Sequence, residues 1–224
     1  MRHYYDFGAD RELVGSDLVS PTSWDALRVG TTGPFSLPAS RDEWERQADE
    51  RPEIRDRARV VLEIADSRGA RRIASYGAGS GLLELWLARE GGDRELVLTD
   101  YAPETVERLR QISPGTEVRK HDLLAEPPVD ADLHVFHRID TELTDAQWHG
   151  VMKRFSGVPV LVVATEIIDM RRVVAELRGR LRRGERTRAG WIRTRPAFEA
   201  LWSKTHRASP VEVADLHGWL LDPG

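Results

Sequence analysis

The sequence of 224 residues predicts an α/β fold with a doubly wound, mostly parallel sheet. Two observations carry this. Apolar, β-branched runs alternate with helical patterns along most of the chain, and one such run passes through a glycine-rich turn straight into a helix. That passage is Arg71-Arg-Ile-Ala-Ser-Tyr-Gly-Ala-Gly-Ser-Gly-Leu-Leu-Glu-Leu85. Gly77 and Gly79 let the backbone turn tightly and approach a ligand, and the helix opening near Ser80 offers unpaired N–H groups.

In chain order, residues 1–69 form an N-terminal lid and helical segment, and residues 70–224 form the core. Residues 15–40 contain Pro21, Gly30, Gly33, Pro34 and Pro38 and read as irregular and turn-rich. Residues 41–50 and 52–67 are helical, with Ile54, Ala58, Val61, Leu62 and Ala65 on one face and Gly69 as the stop. Strands are expected at 71–76, 95–99, 116–120, 131–137 and 158–165. Pro103 opens the helix after Tyr101-Ala102, and Thr144 caps the one starting Asp145-Ala-Gln-Trp148. A basic helix over 170–183 leads to a loop through Gly184 and Gly190. A helix capped by Thr194, with Pro196 in its first turn, precedes closing strands at 209–215 and 217–222.

The glycine spacing narrows the ligand. The dinucleotide fingerprint places a third glycine three residues after the second, where this chain has Leu82. Here the third glycine is Gly81, giving G-x-G-x-G, which disfavours a nicotinamide dehydrogenase. The next strand ends in Asp100, about 20 positions on, where an acidic residue accepts hydrogen bonds from ribose hydroxyls. The third ends in Asp122. This set resembles the class I S-adenosylmethionine-dependent methyltransferases of the small-molecule type, from about Ala70 to Glu166 and onward through the tail.

The resemblance implies a seven-stranded sheet with an antiparallel last strand, the 209–222 hairpin supplying the final pair. It implies S-adenosylmethionine as methyl donor and S-adenosylhomocysteine as product. Ser75, Tyr76, Gly77, Ala78, Gly79 and Gly81 then form the loop against the donor. Asp100 takes the ribose hydroxyls, Tyr101 lies at the adenine edge, and Asp122 with Leu123 reads the adenine. The family commonly has an acidic residue two positions before the first glycine; this chain has Ser75. Glu84 either supplies that charge to the donor's ammonium or is simply a carboxylate favoured near a helix start, a dipole effect of about 0.3–1 kcal/mol. The aromatic opening His3-Tyr-Tyr-Asp-Phe7 resembles a segment that folds over the donor.

Methyl transfer from a sulfonium needs alignment and, for some acceptors, removal of a proton. Phe136-His137-Arg-Ile-Asp140-Thr-Glu142 leads into the crevice at the carboxyl ends of the strands, where open α/β sheets bind ligands. His137 is there either a base or a wall of the donor pocket, and Glu166 is the second candidate, as base or as a carboxylate steering a cationic acceptor. His206 and His217 are further histidines of the tail. Asp140, Glu142, Glu166 and Asp169 lack the pattern of a magnesium-dependent member, so no metal is expected. The arginines at 182, 183, 186, 188, 193 and 195 read as a solvated surface, or as a phosphate-binding run on RNA.

A net charge of −4 argues against a wholly basic nucleic-acid binder, and the absence of cysteine removes disulfide and thiolate chemistry. No run reaches the roughly 18 apolar residues of a membrane span, so the expected setting is cytoplasmic. Lysine is scarce among the 33 basic residues, as in GC-rich bacterial genomes. The expected protein is an O- or N-methyltransferase of a small molecule in bacterial secondary metabolism, monomeric or homodimeric. The alternatives are an RNA methyltransferase and a donor-binding module without turnover.

Overall fold

Apolar stretches bounded by helix caps build one seven-stranded sheet covered on both faces. The computed structural model describes residues 2–3, 20–28, 36–171, 174–175, 178, 190–191 and 193–224. In chain order its elements are β1 (Arg2–His3), α1 (Pro21–Arg28), α2 (Arg41–Asp49), α3 (Pro52–Ser67), β2 (Arg72–Tyr76), α4 (Leu82–Glu90), β3 (Glu95–Asp100) and α5 (Pro103–Ile112). There follow β4 (Glu117–Lys120), β5 (Leu133–His137), α6 (Asp145–Arg154), β6 (Val160–Val163), β7 (Gly190–Trp191), α7 (Arg195–Trp202), β8 (His206–Val213) and β9 (Leu216–Pro223). The main sheet runs β4-β3-β2-β5-β6-β9-β8. Its first five strands are parallel, and β9 enters antiparallel between β6 and β8.

Side-chain alternation along the strands divides the core. Ile73, Leu98, Leu133, Val135, Leu161 and Val163 point to the face covered by α2, α3, α4 and α5. Ala74, Tyr76, Phe136, Val160 and Val162 point to the face covered by α6 and α7, where Trp148, Phe155, Phe198, Trp202 and Trp219 pack. Tyr76 meets Phe136 and Phe155 edge-on at centroid distances of 5.1 and 5.3 Å. Four of the seven tryptophans are nearly fully buried, as expected of packing residues.

Capping explains the helix boundaries. Thr144 and Gln147 form a reciprocal capping box at α6. At the end of α3, Gly69 adopts φ +65°, and the N–H groups of Gly69 and Ala70 return to the carbonyls of Asp66 and Ala65, which closes the helix as a Schellman motif. The expected strand over 158–165 is regular only at Val160–Val163. The closing hairpin begins earlier than expected, at His206, and turns at Ala214 with φ +54°. Arg57 of α3 holds that turn through a bidentate pair with Asp215 at 2.7 Å. The predicted 170–183 helix is helical at 170–171, 174–175 and 178, and the rest of it lies outside the described residues.

The clearest departure from expectation is α1, inside the stretch read as irregular. Pro21 occupies a first-turn position where its missing N–H costs nothing, but eight residues are too few to hold a helix by local propensity. Tertiary contacts hold it. The Asp25 carboxylate accepts from the N–H groups of Glu104 and Thr105 at 3.2 and 3.0 Å and from the Thr105 hydroxyl at 3.1 Å. It thereby caps α5 from another segment, since Ala102 at that cap has no side-chain bond to give.

Candidate functional site

Three left-handed glycines shape the turn between β2 and α4. Gly77, Gly79 and Gly81 have φ of +68°, +57° and +70°, a region that costs other L-residues roughly 1–2 kcal/mol. Space is also limiting: a Cβ on Gly77 would lie 2.5 Å from Cγ2 of Ile139. The Ala78 N–H donates to the Thr99 carbonyl and the Gly79 N–H to Asp100 Oδ2, both at 3.0 Å, so the loop is tied to the end of β3.

A cleft opens beside this loop, between the carboxyl ends of β2 and β5 where strand order reverses, the usual crevice of an open α/β sheet. It is partly open to solvent and is lined from the ends of β2, β3, β4 and β5. One end is a largely apolar slot between Tyr101, Leu123, Leu124, Ile139 and Leu143. Burial and the neighbouring carboxylates of Glu142 and Asp100 hold the Tyr101 phenol well above its ordinary range. Asp122 also lines the cleft, one of its oxygens accepting from the Leu124 N–H at 2.8 Å.

Asp100, 1% exposed, is the most heavily engaged carboxylate of the cleft. Besides the Gly79 N–H, Oδ2 accepts from Nη1 of Arg28 at 3.0 Å, and Oδ1 accepts from the Ala102 N–H at 3.0 Å. The Arg28 guanidinium lies 4.6 Å from the ring of Trp24 and also donates to Thr105 Oγ1 at 3.3 Å. Nothing in the local sequence around Arg28 announces this; its partner is 72 residues away.

Ser75 and Glu84 meet beneath the glycine loop. The Ser75 hydroxyl donates to Glu84 Oε1 at 2.5 Å, and both residues are buried. Burial outweighs this hydrogen bond and raises the Glu84 pKa to about 7. A carboxyl whose folded pKa lies above its ordinary 4.5 contributes stability below pH 4.5 that is lost as pH rises through 7, up to about 3 kcal/mol. Glu84→Gln is therefore expected to show a smaller fall in melting temperature between pH 5 and pH 8 than the wild type. Equal falls in the two proteins would refute this.

Of the residues expected at the site, Tyr76, Gly77, Asp100, Tyr101, Asp122 and Leu123 line the cleft, Gly79 joins it through Asp100, and Ala78 and Gly81 complete the turn. The Tyr76 hydroxyl is committed to the core, accepting from the Val129 N–H at 2.9 Å and bonding His134 at 3.1 Å, with its pKa pushed up to about 12 by burial. The two expected catalytic side chains do not line the cleft. His137 shares its strand face with Leu133 and Val135, toward α3, where burial and the positive charges of Arg138 and Arg57 push its pKa down to about 3. Glu166 follows β6, half-buried, and is not among the lining residues. His206 bonds the Phe155 carbonyl, and His217 bonds Glu212 on the closing hairpin.

Besides Asp100 and Asp122, the cleft is lined by the carboxylate Glu142, in the loop after β5. Burial raises its pKa to about 7, while Arg28 and Trp24 favour the charged form and Asp100 and Asp140 oppose it. That loop is pinned by Arg193, whose guanidinium donates to the carbonyls of Asp140 and Leu143, each at 2.6 Å, and to Asp145 at 2.9 Å. Arg193 is 3% exposed, so it leaves the basic run; residues 182–188 lie outside the described residues, as do the side chains of the aromatic opening. The β1–β7 pairing and the Trp191 N–H bond to the Thr141 carbonyl at 2.7 Å bring the chain's start next to the same loop. Among the described residues no group of three metal-ligating side chains converges, and no helix is long and apolar enough to cross a membrane.

No protein-family model and no curated protein sequence matches the chain. Solved structures do. Human N-acetylserotonin methyltransferase in complex with S-adenosylmethionine is 20% identical, covering 96% of this chain and 64% of that one, with a TM-score of 0.61. An O-methyltransferase family protein from Burkholderia thailandensis is 14% identical over 82% of this chain and 59% of that one, TM-score 0.57. An O-methyltransferase family 2 protein from Planctomyces limnophilus, solved with apigenin, is 13% identical over 69% and 50%, TM-score 0.55. The chain thus spans between half and two thirds of these proteins. Its fold is that of the class I S-adenosylmethionine-dependent methyltransferases.

Proposed function

We propose that the protein is an S-adenosylmethionine-dependent methyltransferase acting on an oxygen or nitrogen of a small molecule. The observation that carries this is the meeting of the left-handed glycine loop with the Asp100 carboxylate at a cleft by the carboxyl ends of the strands. The residues present fit such a donor: Asp100 for the ribose, Tyr101, Asp122 and Leu123 for the adenine, and the glycine turn that Gly77 opens at the cleft wall, completed by Ala78, Gly79 and Gly81, for the methionine part. The bound donor supplies a methyl activated by sulfonium. The protein must then align the acceptor and take its proton.

Neither His137 nor Glu166 faces that task from the cleft wall; Glu142 does, and its pKa of about 7 suits a base near neutral pH. Glu84, under the loop, acts on the donor's ammonium end through the Ser75 hydroxyl. A small-molecule acceptor is supported by Arg193 being buried against Asp145 and the carbonyls of Asp140 and Leu143 instead of exposed to phosphates. A cytoplasmic setting in bacterial secondary metabolism completes the proposal, on the arginine-rich, lysine-poor composition.

Calorimetry with S-adenosylhomocysteine and with NAD tests the donor, and transfer of labelled methyl across a panel of phenols, carboxylic acids and amines tests turnover. Binding of NAD alone would overturn the proposal. Tight S-adenosyl binding with no transfer to any acceptor would favour the binding module instead. Within the same assay, Glu84→Gln is expected to weaken S-adenosylhomocysteine and leave adenosine unaffected, because only the former carries an ammonium group.

A further inference from the structure

The cleft contains a guanidinium where a ribose would sit. A carboxylate has about four acceptor positions on its two oxygens. Three of those on Asp100 are filled, by the N–H groups of Gly79 and Ala102 and by Arg28 Nη1. A ribose diol brings two O–H donors, so one of the three must leave. The Gly79 and Ala102 bonds belong to the backbone of the turn and of the α5 cap and cannot leave without unfolding them. Arg28 is a side chain on an eight-residue helix, and it can.

We propose that α1 is an internal latch on the donor site, with Arg28 occupying the ribose acceptor Asp100 until an adenosine-containing ligand displaces it. This rests on the reading of Asp100 as the ribose acceptor. The rest of α1 fits a seated but detachable element. It docks on α5 through Asp25 and through the Arg28 bond to Thr105, with Trp24 against the Arg28 guanidinium and bonded to Glu142. A Cβ on Gly79 would stand 3.4 Å from Arg28 Nη2, so the guanidinium also covers the backbone that a ligand must approach. The latch keeps a buried carboxylate paired while the site awaits its ligand, and it sets a threshold that the ligand's ribose must exceed.

The test is calorimetry of S-adenosylhomocysteine and of plain adenosine on the wild type, Arg28→Met and Asp25→Ala. Methionine keeps the apolar contact with Trp24 and removes the competing donors. Both ligands are expected to bind Arg28→Met about tenfold more tightly than the wild type. Asp25→Ala, which loosens α1 without touching the cleft, is expected to shift both affinities in the same direction. Unpairing Asp100 lowers the melting temperature of ligand-free Arg28→Met, so the rise in melting temperature with S-adenosylhomocysteine should exceed that of the wild type; this readout survives partial unfolding of the variant. Unchanged affinities would overturn the latch. So would a weakening of S-adenosylhomocysteine with adenosine unaffected, which would make Arg28 a binder of the donor's carboxylate. Failure of all three proteins to bind either ligand would overturn the reading of Asp100 itself.

Discussion

Glu142→Gln is expected to lower turnover by about 10²–10⁴-fold, the usual contribution of a general base, with affinity for S-adenosylhomocysteine close to that of the wild type. Glutamine keeps the shape and the hydrogen-bonding reach of the side chain but cannot accept a proton. The wild-type rate should fall as pH drops below about 7, because burial raises the Glu142 pKa to that value and only the ionised carboxylate can act. That acidic limb should vanish in the variant. His137, with its pKa held near 3, would give no limb in this range, so the profile separates the two residues. A variant that keeps both the rate and the limb would remove Glu142 from the mechanism. An acceptor that reacts as a neutral amine would show the smaller loss expected from alignment alone.

Asp100→Ala is expected to damage both stability and binding. The substitution leaves the guanidinium of Arg28, whose side chain is 9% exposed, without its carboxylate, and such an uncompensated buried charge costs about 3–5 kcal/mol. It also deprives the N–H groups of Gly79 and Ala102 of their acceptor. Denaturant midpoints measure this loss. In whatever fraction remains folded, donor affinity should fall by roughly 1.5–3 kcal/mol, the range for hydrogen bonds to a charged group. Adding Arg28→Met to Asp100→Ala should restore part of the stability, since the unpaired charge is gone, but none of the affinity. Full additivity of the two substitutions in stability would show that the pair does not interact.

What could be read from the sequence depended on how far apart the partners lie. The glycine turn, Asp100 and Asp122 are legible because strand, turn and next strand repeat over short stretches whose geometry is local. The capping box of Thr144 and the Schellman end at Gly69 are legible for the same reason. Glu84 drew attention as a carboxylate one turn into the helix after the glycine turn, able to supply the charge that Ser75 lacks, and the structure joins the two. Position along the chain misled at His137, although the strand itself held a corrective signal. In Leu133-His-Val-Phe-His137 the period of two places His137 with Leu133 and Val135, on the face that packs against helices. Glu142, five residues on, escapes that alternation because the strand has ended. Helix α1 and Arg28 left no trace in the sequence pattern. Their support comes from Asp100, Glu104 and Thr105, more than 70 residues later, and an octapeptide within a stretch rich in proline and glycine reads as a loop on local criteria.

The Arg193 clamp has a kinetic consequence. Because one buried guanidinium holds the carbonyls of Asp140 and Leu143 and the carboxylate of Asp145, the loop bearing Glu142 cannot swing outward unless several charge-assisted bonds break together. The opposite side of the cleft is seated on the end of β3 and on α5 through Arg28 and Asp25. The cleft therefore has one fixed jamb and one hinged one, and traffic in both directions passes the hinged side. Residence time of a bound ligand then follows the opening rate of α1, and substitutions at the Arg193 end should leave that rate unchanged for as long as the loop stays folded.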